Sequence, residues 1–289
     1  MLMLTETEHL TSDEVARNRT SITAPARLGV KSEFSLTSQL TQYNPLLILI
    51  LFVKVIKVFT HHKTGTIFWF NCIKKLSIKH GLSCYNGQDE LFHGDFTRNA
   101  DIYFNHHSNY IKPALKSMSP DGIHSYRNPA RIIISCVKYH LKSKESWLHI
   151  PRNDFNGLTY RQMLESQNSF DEQVTFEINH AAGMTIFQMM KAINELPFEH
   201  VDIDLISTDK NMSSLRLVYL RTSFSNLMSM EDFLLAMKSE CIWNMDNTPN
   251  HGTSKKDQSL QSSIELISQK NRDLFLEKFG QRVYEFTFN

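Results

Sequence analysis

The sequence predicts an α/β fold with a mainly parallel central sheet flanked by helices. Three observations carry this. Short apolar segments alternate with amphipathic ones along residues 53–288, and strands joined by crossover helices pair in parallel. The apolar run that ends at Phe59 is continuous rather than alternating, which suits a strand buried on both faces of such a sheet. That run leads directly into His61-His62-Lys63-Thr64-Gly65-Thr66 and then an amphipathic stretch, the order of a strand, a phosphate loop and a helix.

The elements follow in order. Residues 1–44 are polar and aperiodic, and read as a flexible or irregular amino-terminal segment ahead of one domain over 45–289. The run 46–59 is fourteen residues long and contains Lys54 and Lys57, short of the roughly twenty apolar residues of a membrane span. It also lies too far from the start for a secretory leader, so its second half is the first strand. A helix is expected over 67–80, closed by Gly81. Strands are expected at 82–85, 100–105 and 122–126. Pro129 then opens a helix carrying Ile132, Ile133, Ile134 and Val137 toward a core. Residues 142–158 form a polar connection, and 159–166 a short helix capped by Thr159 or Asn156. The longest helix is expected over 171–196, where Val174, Ile178, Ala182, Ile186, Met189 and Ile193 recur at helical spacing. Within it Met184, Met189 and Met190 read as core filling. A strand over 200–206, a helix over 230–238, a polar loop over 244–258 and a final helix over 260–279 complete the pattern.

Composition limits the partners. The formal charge is +1, from 31 basic and 30 acidic residues, so no global basic field points to nucleic acid. Thirteen histidines include the pairs His61-His62 and His106-His107. No Cys-x-x-Cys, no His-x-x-x-His and no regular acidic cluster accompanies them, and no metal is expected. Cys72 and Cys136 fall on helices as small buried hydrophobes. Four cysteines permit disulfides in a chain of this length without demanding them. Two N-x-S/T triplets, at Asn18 and Asn211, do not establish secretion.

Two segments carry chemistry. At a strand-to-helix turn the backbone N–H groups and the helix dipole converge on one spot and favour an anion. Lys63 adds a mobile charge, Thr64 and Thr66 add hydroxyls, and Gly65 lets the backbone approach a ligand. This is not the nucleotide-triphosphate P-loop, whose Lys follows a second Gly, and an ordinary turn can carry the same residues. The second segment is GIHSYRNPARIIISCVKYH over 122–140. Arg127 ends the strand, and Ser135 lies eight residues on, roughly two helical turns, so both could face one phosphate.

Together the Lys-Thr-Gly-Thr loop and the Arg-Asn-Pro segment with its helical Ser resemble the sulfotransferases that use 3′-phosphoadenosine-5′-phosphosulfate (PAPS). The likeness continues through YHLKSKESWLHIP at 139–151 and covers about residues 53–285. It implies a P-loop-like sulfotransferase fold and PAPS as co-substrate. It places Lys63 near the bridging oxygen between phosphate and sulfur, Thr64, Gly65 and Thr66 around the 5′-phosphate, and Arg127 and Ser135 on the 3′-phosphate. Members of the family place a catalytic His at the end of a neighbouring strand, which here is His107 in preference to His106, with Glu90 as the fallback base. Lys255 and Lys256 would stand in for the family's last basic loop. The segment 201–207 departs from the Tyr-Glu-Asp-Leu pattern of relatives, which obscures the subfamily.

The acceptor is then a small molecule or glycan with a hydroxyl or amine, bound by variable loops near 143–156 and 171–196. Two other readings stand beside this one: a catalytically degenerate PAP-binding protein, and a kinase, which the missing Gly-Lys-Ser/Thr ending disfavours. A cytoplasmic location is expected, with a Golgi membrane anchor, which many carbohydrate-modifying relatives carry, as the alternative. No motif encodes the oligomeric state.

Overall fold

In a computed structural model of the chain, residues 55–86, 100–108, 121–241 and 260–289 are described. The expected amino-terminal segment, the first part of the apolar run, Glu90, and the loop with Lys255 and Lys256 lie outside them. Five parallel strands form one sheet: β1 (Ile56–Phe59), β2 (Cys84–Asn86), β3 (Ile102–Asn105), β4 (Gly122–Tyr126) and β5 (Glu199–Asp202). Their order is β2-β3-β1-β4-β5, with Val58 level with Phe104 on one side and Ile123 on the other. The earliest described strand is therefore central. The chain leaves β1 on one side and returns on the other, and open parallel sheets bind ligands at the carboxyl ends of strands around such a point.

Alternation along β1 sends Ile56 and Val58 to one face and Phe59 to the other. On the first face they meet Trp69, Cys72, Ile73 and Leu76 of α1 (Thr66–His80), which ends on Gly81 in the left-handed conformation. On the second face Phe59 packs with Tyr103, Phe198 and Ala192. Helix α2 (Pro129–His140) starts where Asn128 accepts the Ala130 N–H at 2.9 Å, with Pro129 in its first position. Its apolar residues join a second, mostly helical core that includes Val174, Ile178, Ile186, Met189 and Phe275.

Several elements are shorter than the periodicity predicts. The connection 142–158 contains two 3₁₀ turns, Ser146–His149 and Asn153–Phe155, which bury Leu148 and Phe155 against Tyr160. Thr159 and Gln162 form a reciprocal capping box on α3 (Tyr160–Glu165). The single long helix expected over 171–196 is two, α4 (Phe170–Asn179) and α5 (Ala181–Glu195), broken at His180. The break has a cause: the first amides of α5 donate to side chains, Ala181 N–H to the Tyr160 hydroxyl at 3.2 Å and Ala182 N–H to Glu177 Oε2 at 3.3 Å. Met189 is buried as expected, but Met184 is 59% exposed beyond this bend.

The expected strand 200–206 stops at Asp202, whose carboxylate accepts the Asp204 N–H at 2.9 Å and caps α6 (Ile203–Thr208). Helices α7 (Ser213–Arg221), α8 (Phe224–Leu227) and α9 (Met230–Lys238) come next, and of these periodicity predicts only α9. The final expected helix also divides, into α10 (Leu260–Glu265) and α11 (Gln269–Phe279), because Ser268 caps the second at Asn271 N–H. A last helix, α12, spans Gln281–Phe288. Among the described residues no helix is long and apolar enough to cross a membrane, and Cys72, Cys84, Cys136 and Cys241 are free.

Candidate active site

The loop between β1 and α1 is tied to itself. The His61 N–H donates to Thr64 Oγ1 at 2.7 Å, and the Thr64 and Thr66 hydroxyls donate back to the His61 carbonyl at 3.0 and 2.9 Å. Ser125 of β4 donates to the Thr64 carbonyl at 2.6 Å, and Ser108 after β3 to the Thr60 carbonyl at 2.7 Å. Strands on both sides of β1 thus fix the loop. Thr64 is fully buried, and the threonine hydroxyl protons shape the backbone. Lys63 and Gly65 hold positive φ, +66° and +89°. Helix α1 begins with no capping side chain and no acidic residue in its first turn, whereas Asn128, Thr159, Ser169, Ser229 and Ser268 cap other helices. An uncapped start of a fifteen-residue helix leaves its first amides without side-chain acceptors, the arrangement that favours anions in general.

Lys63 Nζ stands 2.8 Å from the centroid of the Tyr139 ring on α2. Burial pushes its ammonium down to about 8, a shift that the Glu145 carboxylate opposes and the Arg127 guanidinium adds to. Arg127 reaches the same loop, its Nη1 lying 3.5 Å from the Lys63 carbonyl. The rest of its fork is engaged by a residue that no sequence motif singles out: Nε donates to both oxygens of Asp204 at 3.1 Å, and Arg131 joins the same carboxylate at 3.0 Å. Ser135 is half-buried on α2, two turns beyond Arg127.

At the end of β3, His107 is exposed and His106 half-buried, their rings 4.4 Å apart. Two partly buried hydrogen-bonded imidazole groups lie near them. His61 Nε2 meets His124 Nε2 at 2.9 Å, and His124 Nδ1 meets His200 Nδ1 at 3.0 Å. Burial, with a contribution from His107, pushes His61 down to about 3. His62 Nε2 meets His140 Nε2 at 3.0 Å, and His140 Nδ1 meets Glu177 Oε1 at 2.6 Å. Burial, Lys63, His140 and His107 hold His62 well below the usual imidazole range. His140 stands four residues after Cys136 on α2, a spacing visible in the sequence that would have flagged this group. Nothing in the local sequence flags Glu177 or Asp204.

The structure therefore brings Lys63, Gly65, Arg127 and the start of α1 to one point at the carboxyl edge of β1. His107 lies close enough to influence both His61 and His62 electrostatically. No protein-family model and no curated protein matches the chain. Among solved structures, the fold aligns with the crystal structure of mouse sulfotransferase SULT7A1 complexed with PAP, at a TM-score of 0.51 and 14% identity, over 81% of this chain and 86% of that one. The chain has a sulfotransferase-like α/β fold.

Proposed function

We propose that this chain is a PAPS-dependent sulfotransferase acting on a hydroxyl or amine of a small alcohol or carbohydrate. The observation that carries this reading is Lys63 in the loop before an uncapped helix start, its carbonyl reached by Arg127, in a fold shared with a sulfotransferase solved with PAP. The donor set fits a nucleotide bisphosphate: backbone amides of the loop for one phosphate, a guanidinium eight residues before a helical hydroxyl for another.

PAPS supplies the activated sulfuryl group. Lys63 offsets the negative charge that develops on the phosphate oxygen as its bond to sulfur breaks. His107 takes the proton that the acceptor oxygen or nitrogen gives up as the new bond to sulfur forms. Arg127 and Ser135 hold the 3′-phosphate, which requires Arg127 to exchange part of its contact with Asp204 for the ligand. A thermal shift with adenosine 3′,5′-bisphosphate (PAP) against ATP–Mg²⁺ tests the nucleotide class. A labelled sulfuryl donor screened against sugars, phenols, alcohols and amines tests the reaction. Stabilisation by ATP–Mg²⁺ and not by PAP overturns the reading. Binding of PAP without transfer to any acceptor favours the degenerate binding protein instead.

A further inference from the structure

We propose that His62, Cys136 and His140 form a binding site for a zinc-type divalent metal ion beside the phosphate loop. The inference rests on this side-chain cluster and not on the sulfuryl-transfer reading. The three ligand atoms lie within 4.8 Å of one another, and the two Nε2 atoms are 3.0 Å apart. Tetrahedral bonds of about 2.0–2.1 Å to nitrogen and about 2.3 Å to sulfur separate ligand atoms by about 3.3–3.6 Å, so small side-chain shifts suffice. Cys136 and His140 share a face of α2 at a four-residue spacing, and His62 reaches them from the loop. Both helix ligands are fully buried, and the two imidazole rings stack within 13° of parallel.

The surroundings select the tautomer a metal needs. Glu177 accepts from the Tyr160 hydroxyl at 3.1 Å and from the Ala182 N–H at 3.3 Å on one oxygen. Its other oxygen faces His140 Nδ1 at 2.6 Å. With the Nδ1 proton held there, the His140 lone pair sits on Nε2, facing the cluster. A carboxylate behind a histidine in this way orients and strengthens a metal ligand. Two imidazoles and a thiol suit zinc or a similar ion of borderline softness. Magnesium and calcium, which require oxygen ligands, are unsuited. Three protein ligands leave a fourth tetrahedral position for water or a substrate oxygen.

Charge works in both directions. Lys63 adjoins the cluster and opposes a dication. Loss of the Cys136 proton on binding and the Glu177 carboxylate compensate. Without metal the cluster is a hydrogen-bonded imidazole pair beside a buried thiol, and the experiment separates these two states.

The test uses the full chain, stripped with a chelator and titrated with Co²⁺ and then Zn²⁺. The expected result is one equivalent of Co²⁺ giving a thiolate-to-cobalt charge-transfer band that Zn²⁺ displaces. The band should disappear in Cys136→Ala and persist in Cys84→Ala, which removes an exposed thiol elsewhere. Glu177→Gln should weaken binding about 10- to 100-fold. Should Cys136→Ala fail to fold, loss of the band in His62→Ala decides in its place. A wild-type chain with no thiolate band, or a band that survives in Cys136→Ala, overturns the inference. The PAP thermal shift recorded on the same stripped samples reports on the nucleotide site separately, so either proposal can fail alone.

Discussion

Asp204 holds Arg127 through both carboxylate oxygens, each 3.1 Å from Nε, and shares Oδ1 with Arg131. All three side chains are at least mostly buried, so one carboxylate bridges two guanidinium groups away from water. Removing one partner of a buried pair leaves charge uncompensated, at a cost of about 3–5 kcal/mol. Asp204→Asn is expected to lose stability of that order in urea denaturation. Added PAP should restore part of it by giving Arg127 a phosphate partner. A variant as stable as wild type would show that the pair carries no such weight.

Gly65 meets two constraints at once. Its φ is +89°, and a Cβ there would come 2.4 Å from Ile203 Cγ1 and 2.5 Å from its Cδ1. Gly65→Ala is expected to cost about 1–3 kcal/mol in backbone strain, with a comparable packing cost. Adding Ile203→Ala should relieve the packing share and leave the strain. A double variant no better off than the sum of the singles would rule out the clash as a cause.

Lys63→Ala should lower turnover about 10²- to 10³-fold with the fold retained by circular dichroism. The pH dependence has a definite sign. Burial lowers this ammonium from 10.5 to about 8, so it is charged at neutral pH and loses its charge as pH rises through that value. For the free enzyme, kcat/KM for the sulfuryl donor should therefore fall above about pH 8. The unfolded chain keeps the Lys63 proton to higher pH, so this group's contribution to folding stability increases between about 8 and 10.5. An alkaline limb that persists unchanged in Lys63→Ala belongs to another group.

His107→Ala should reduce the rate far more than donor affinity, and His106→Ala should be milder. His61 and His62 stay neutral well below the usual imidazole range, so an acid limb at mildly acidic pH does not come from them. That limb should vanish in His107→Ala. Were it to vanish in His106→Ala instead, His106 is the base.

Arg127→Ala and Ser135→Ala should weaken binding of PAP more than of the analogue lacking the 3′-phosphate. For Arg127 the loss expected of a charge-assisted contact is about 1.5–3 kcal/mol. Calorimetry with both ligands measures the difference. Equal losses on both would place the two residues away from that phosphate.

The parts of the fold written in local sequence were legible. The loop after Phe59, the helix ended by Gly81, the strand Gly122–Tyr126 and the helix opened by Pro129 each carry their signal within a few residues. The errors lie where side chains, near or distant in sequence, take backbone amides. Periodicity runs unbroken through His180, yet Tyr160 and Glu177 take the amides that would have continued the helix. The strand after His200 ends because the Asp202 carboxylate turns to cap α6. The site divides in the same way. Lys63, Gly65 and Arg127 stand out by motif, while Asp204 and Glu177 matter only through partners 77 and 37 residues away.

The order of the sheet also fixes an order in time. β1 and its loop emerge early from the ribosome, but Ile203, which walls Gly65, and Asp204, which engages Arg127, belong to the far side of β5. At synthesis rates of about 5–20 residues per second, the nascent loop waits from several seconds to about half a minute for them. During that interval β4 lacks its outer neighbour β5, and Arg127 and Arg131 lack the Asp204 carboxylate. A chain truncated before α6 would leave both arginines without that carboxylate and Gly65 without its apolar wall.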